Sequence, residues 1–95
     1  METNKLEKTE RGQIIEHLRA FLEPWVSEIE LLDGITEETN LIAELGLDSV
    51  GILEVVMEAE KEFDISITNQ ELDSDTFTRL GNFVSLLQDK IYENN

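Results

Sequence analysis

Residues 41–50 read Leu41-Ile42-Ala43-Glu44-Leu45-Gly46-Leu47-Asp48-Ser49-Val50. Leu41, Ile42 and Leu45 make one apolar turn, and Gly46 can take the left-handed conformation that ends it. After Leu47, Asp48 or Ser49 starts a new helix by accepting bonds from its first N–H groups. Two readings share this pattern. In one, the polar pair simply caps the helix. In the other, the Ser49 hydroxyl stands exposed at a helix N-terminus, where the dipole and free N–H groups favour an anion such as a phosphodiester. Spacing alone leaves both open.

Downstream, Ile52, Val55, Val56, Ala59 and Phe63 repeat at i, i+3, i+4, i+7 and i+11, the buried face of a helix running to about Phe63. Val50, Glu54, Met57 and Lys61 follow one another on the opposite face, flanked by Glu58 and Glu60. Two exposed apolar residues among carboxylates make a candidate docking surface, and methionine adapts to several partners. Asp64 to Thr68 alternates like a strand but has no second strand to pair with, so it reads as an extended loop pinned by Ile65 and Ile67. Asn69 to Asp73 can form a short helical turn. Leu80, Phe83, Val84, Leu87 and Ile91 give a last amphipathic helix, with Thr76 or Thr78 as its expected cap.

Upstream, Ile14, Leu18, Phe21, Leu22, Trp25 and Ile29 fall on one stripe of a 3.6-residue repeat starting near Gln13. Pro24 lies within it; because Trp25, Val26 and Ile29 keep the phase, a kinked helix to about Leu31 is predicted, stopped by Asp33-Gly34. Ile35 is expected to tuck beneath the loop that follows. The sum is an all-α fold, a small four-helix bundle of three main helices and one short one. Residues 1–10 read as a flexible polar leader, 11–92 as the folded domain and 93–95 as a frayed tail.

The chain has 95 residues, 40% of them hydrophobic, enough for one small folded domain. Its 7 basic and 22 acidic side chains sum to −15, which argues against nucleic acid and against charge-driven docking on an anionic membrane. Partners with a positive patch are favoured instead, through steering that salt weakens. Without cysteine, disulfides, thiolate catalysis and Cys-based metal sites are excluded. The polar N-terminus has no apolar run, and no stretch is long enough to span a bilayer, so a soluble cytoplasmic protein is expected.

Catalysis by the chain itself fails on inventory. Ser49 would need an adjacent base held by a third group, and the single histidine, His17, lies on the first helix. A calcium loop starting at Asp73-Ser74-Asp75 fails, because Thr78 stands where the turn glycine is needed and Val84 where the bidentate glutamate is needed.

Residues 41–50 resemble the prosthetic-group site of acyl carrier proteins, whose signature is Leu-Gly-x-Asp-Ser-[Leu/Val]. The resemblance continues through the helix from Gly51 to Phe63, through Glu62-Phe63-Asp64-Ile65-Ser66-Ile67, and to Phe77-Thr78-Arg79-Leu80. It covers roughly Gln13 to Ile91 and implies a four-helix carrier that is not an enzyme. Ser49 would receive a covalent 4′-phosphopantetheine arm from coenzyme A, installed by a separate magnesium-dependent transferase. The arm's thiol would hold acyl groups as thioesters, which fits a chain that has no sulfhydryl of its own. Asp48 would help position the serine and the transferase. Val50, Glu54, Met57, Glu58 and Glu60 would meet the basic docking patches of that transferase and of acyl-transferring or condensing enzymes. A monomer is expected, and Leu41, Ile52, Val55, Val56, Ala59, Ile67 and Leu72 are the core positions that could part around an acyl chain.

Two features depart from the family pattern. Gly51 stands where fatty-acid carriers often have an acidic residue, and Lys61 interrupts the acidic stripe. Both lean toward a discrete carrier in a specialised pathway rather than housekeeping fatty acid synthesis. The rivals are an aminoacyl or peptidyl carrier and an unmodified acidic adaptor that binds a basic partner.

Overall fold

The computed structural model describes residues 10–26, 34–73 and 75–93. They form three α-helices, α1 (Arg11–Leu22), α2 (Ser49–Phe63) and α3 (Leu80–Glu93), with 3-10 turns at Glu23–Trp25 and Asn69–Glu71. No strand occurs among the described residues, and α1 packs against both α2 and α3. The three apolar stripes supply the core: Ile14, Leu18 and Leu22 from α1, Val55, Val56 and Ala59 from α2, and Leu80, Phe83, Val84 and Leu87 from α3. Ile35, Leu41, Leu47 and Phe77 close it from the links between helices.

The first helix ends earlier than the apolar phase predicts. It starts at Arg11, runs to Leu22, and tightens into the 3-10 turn that holds Pro24. Proline has no N–H with which to continue the i→i−4 ladder. The turn closes with the Val26 N–H on the Glu23 carbonyl at 3.1 Å, and Val26 is already extended at φ −112°, ψ 121°. The predicted kinked helix is therefore a helix, a 3-10 turn and an exit. Its remaining reach to Leu31, with Ile29 and Asp33, lies outside the described residues, as does the leader to residue 9; Gly34 stands in an exposed turn.

Neither Thr76 nor Thr78 caps α3. Thr76 Oγ1 accepts from the Asp73 N–H, and Thr78 Oγ1 donates to the Asp75 carbonyl. The first donors of α3 are met by backbone from the link before α2: Leu80 N–H on Thr39 O at 2.8 Å and Gly81 N–H on Glu37 O at 2.9 Å. Leu41 N–H returns the favour to Phe77 O at 3.0 Å. These three bonds fasten the approach to α2 onto the start of α3. The Asn69–Glu71 turn and the extended stretch after Asp64 match expectation, with Ile65 buried and Ile67 packed against the core. Helix α3 includes Glu93, one residue into the stretch expected to fray; residues 94 and 95 lie outside the description.

Arg11 ties the same region from the side. Its guanidinium donates to both Glu37 oxygens (2.9 and 2.6 Å), to Ser85 Oγ, to Gln88 Oε1 and to the Gly81 carbonyl. The Arg11 hydrogen bond is the main reason that the Glu37 carboxyl titrates below its ordinary value of 4.5. A lowered carboxylate pKa contributes stability that is present above the unfolded value and lost as pH falls through the folded one. Arg11→Ala should therefore cost about 1 kcal/mol near neutrality, since the pair is a third exposed. That gap should narrow as pH falls below about 4 and Glu37 takes its proton, leaving the part owed to Ser85, Gln88 and the Gly81 carbonyl. Urea midpoints of the two proteins at pH 7 and pH 3 check this, and a constant gap would contradict it.

Candidate functional site

The turn before α2 is built from Asn40 to Leu47. Asn40 Oδ1 accepts from the Ile42 and Ala43 N–H groups, while Glu44 Oε2 accepts from Asn40 N–H. Gly46 takes φ +74° and places its N–H on Ile42 O at 3.0 Å, the left-handed close that the sequence predicts. Leu41 at 0% and Leu47 at 3% exposure anchor the two ends of this turn in the core.

Asp48 is the N-cap of α2. Its backbone is extended (φ −102°, ψ −173°), and its Oδ1 accepts from Gly51 N–H at 2.8 Å. Ser49 is the first helical residue and is exposed. No described residue bonds its hydroxyl, and none accepts from the Ser49 or Val50 N–H groups. The two readings of the sequence thus divide between two residues: Asp48 caps, and Ser49 is presented. An exposed hydroxyl beside open first-turn N–H groups suits a phosphodiester, whose charge the helix end favours.

The outer face of α2 carries the predicted surface residues and one more. Val50 (64% exposed) and Met57 (55%) stand open, with Glu54, Glu58 and Lys61 among them. Leu53, 56% exposed, joins this face, and Ile42 in the preceding turn is exposed as well, at 43%. The sequence reading missed both, although Leu53 lies four residues from both Ser49 and Met57, on the side between them. Glu60, half-buried, is also engaged within the chain. Its Oε2 accepts from Ile67 N–H at 2.8 Å, which commits the carboxylate to the loop after α2. Its carbonyl accepts from Ile65 N–H and from Asp64, which holds the left-handed close of the helix at φ 56°.

Gly51 has a structural reason. A Cβ built there would lie 3.0 Å from Trp25 Nε1 and 3.1 Å from Cε2 and Cζ2, so the indole packs onto helix backbone that only glycine leaves open. His17 pairs with Glu62 at 3.0 Å and meets the Phe63 ring edge-on at 5.4 Å, far along α2 from Ser49 in sequence. Among the core positions considered for an acyl chain, Leu41, Val55, Val56 and Ala59 are buried, while Ile52, Ile67 and Leu72 pack partly buried against them.

Residues 20–86 match the family described as the phosphopantetheine attachment site. The chain belongs to the acyl carrier protein family. It is 33% identical over 57 residues to an acyl carrier protein of Thermotoga maritima, covering 60% of this chain and 68% of that one. It is 34% identical over 58 residues to one of a Picosynechococcus species (61% and 69%), and 53% identical over 38 residues to one of Aster yellows witches'-broom phytoplasma (40% and 50%). No solved structure gives a significant match. The protein is thus a carrier rather than an enzyme, with phosphopantetheine as its prosthetic group. No described helix of this carrier is long and apolar enough to cross a membrane.

Gly51→Ala tests the indole contact in this carrier. The substitution gains helix propensity on the order of 1 kcal/mol, against the displacement of a half-buried ring on a short turn. Stability should stay within about 1 kcal/mol of the parent. Emission from Trp25, the single tryptophan, should move to the red as the ring lifts. An unchanged spectrum would contradict the packing.

Proposed function

We propose that Ser49 is the residue that bears the 4′-phosphopantetheine arm, and that residues 11–92 act as a discrete acyl carrier domain. The observation that carries this is an exposed hydroxyl, without a hydrogen bond to any described residue, on the first residue of α2. Asp48 fixes that first turn through Gly51 N–H, which sets where the serine oxygen stands. The N–H groups of Ser49 and Val50 belong to the same first turn, the helix end at which a phosphodiester's charge is favoured. No described side chain bonds the Ser49 hydroxyl as a base, so its proton passes to a group on the separate transferase as the oxygen bonds the pantetheine-side phosphorus of coenzyme A, the pyrophosphate P–O bond breaks and adenosine 3′,5′-bisphosphate leaves. When bound, the arm supplies a terminal thiol on which acyl groups are held. The polypeptide itself has no thiol to compete.

The experiment follows from that inventory. After incubation with coenzyme A, magnesium and a broad-specificity transferase, and removal of free coenzyme A, the protein-bound titratable thiol should have risen from none to one per chain. A titre that stays at zero, with a control carrier modified in the same tube, would contradict the proposal.

Val50, Leu53, Glu54, Met57 and Glu58 form the surface read here as meeting enzymes through basic patches. Glu54→Lys should lower the transferase's kcat/KM by on the order of tenfold at low salt, with a smaller deficit at 0.5 M salt. Equal rates for both proteins at low salt would remove Glu54 from this surface. Supply of acyl intermediates to a specialised pathway, in a monomeric cytoplasmic carrier, is the favoured reading. Two features support it: Gly51 is given over to Trp25 rather than to an acidic side chain, and Lys61 breaks the acidic stripe.

A further inference from the structure

Between the end of α1 and the outer face of α2 lies a groove of about 380 Å³. Phe21, Pro24, Trp25 and Met57 give it apolar walls, and Glu54 and Glu58 add two exposed carboxylates. It exists because the chain leaves α1 through the Pro24 turn and lays Trp25 on Gly51. The walls make two demands on an occupant. Aromatic rings and a thioether favour an apolar stem, whereas the carboxylates favour a positive head. A purely apolar chain would desolvate the carboxylates for no return, and an anion would meet a molecule of net charge −15. An arginine satisfies both, since its flat guanidinium stacks on an indole and pairs with carboxylates.

Met57 also belongs to the exposed face that begins at Ser49, about 12 Å away along the helix axis. A protein that addresses Ser49 over that face therefore reaches the groove without turning. We infer that this groove receives an arginine from the basic surface of an enzyme that acts on Ser49, making it a second anchor beside the helix face. This rests on the carrier reading above. It adds a requirement for Phe21 and Trp25, which lie outside α2.

The test uses the full chain and two tryptophan-free helical peptides with the same leucine face, one bearing arginine and the other citrulline in its place. The arginine peptide should move the Trp25 indole N–H and Met57 methyl resonances saturably. Glu54→Gln/Glu58→Gln, exposed changes that leave the core intact, should weaken that binding by about tenfold. Equal affinity for the citrulline peptide would overturn the inference. So would shifts confined to Val50 and Leu53, and so would a Trp25 signal that moves with protein concentration alone, which would give the groove to a second copy. Mass analysis of the same preparation after transferase treatment keeps the two proposals apart. Arm uptake with Trp25 unmoved sinks only the groove, whereas peptide binding without arm uptake sinks the carrier reading of Ser49 and, with it, the enzyme named as the source of the arginine.

Discussion

Phe83→Ala is expected to cost about 3–5 kcal/mol, the usual range for emptying a fully buried phenylalanine site. Phe83 is 0% exposed and lies 5.0 Å, ring to ring, from Phe77. Small domains commonly hold about 5–15 kcal/mol in all, and a chain of this size and charge sits toward the lower end. The variant should therefore be largely unfolded in dilute buffer and recover partly as added salt screens the acidic surface. The loss also reaches the site. Phe77 lends its carbonyl to Leu41 N–H, and Leu41 anchors the turn that leads into α2. Loosening Phe77 frees that turn, so the fraction of chain able to present Ser49 should fall with stability. Denaturant midpoints followed by far-UV circular dichroism check the first part. A loss below about 1.5 kcal/mol would show a core that closes over the gap.

What the sequence revealed and what it hid divide along physical lines. The stripes of α2 and α3 were legible because burial on one face repeats every 3.6 residues, and every stripe position on α3 is buried. The same signal misled at Pro24. Trp25 and Val26 keep the apolar phase, yet phase records which side a residue faces, not whether the backbone ladder continues beneath it. The start of α3 was hidden for another reason. Its donors are met by the Thr39 and Glu37 carbonyls, about forty positions earlier in the chain, and no local cap pattern encodes such a bond.

The site shows the same division. Gly46 and Asp48 were readable because a left-handed close and an N-cap call for particular residues at particular positions. Asp64 closes α2 in the left-handed region without glycine, so that turn carries no such mark. Glu60 fell on the exposed side by periodicity, but its long side chain reaches a backbone N–H seven residues on. Gly51 looked like a departure from a family pattern. Only the approach of Trp25 supplies the reason.

The central claim, that Ser49 bears the arm, has an all-or-none consequence. Ser49 is exposed at the start of α2, so Ser49→Ala removes one hydroxyl while leaving the Asp48 cap and the core in place. Its stability should change by less than about 0.5 kcal/mol, as for an ordinary surface substitution. The measurement is intact-protein mass, with peptide mapping, after incubation with coenzyme A, magnesium and a broad-specificity transferase. The parent chain should gain the mass of one phosphopantetheinyl group, mapped to Ser49, and a folded Ser49→Ala should gain none. A gain that persists in Ser49→Ala, or a folded parent left unmodified beside a control carrier that reacts, would contradict the account.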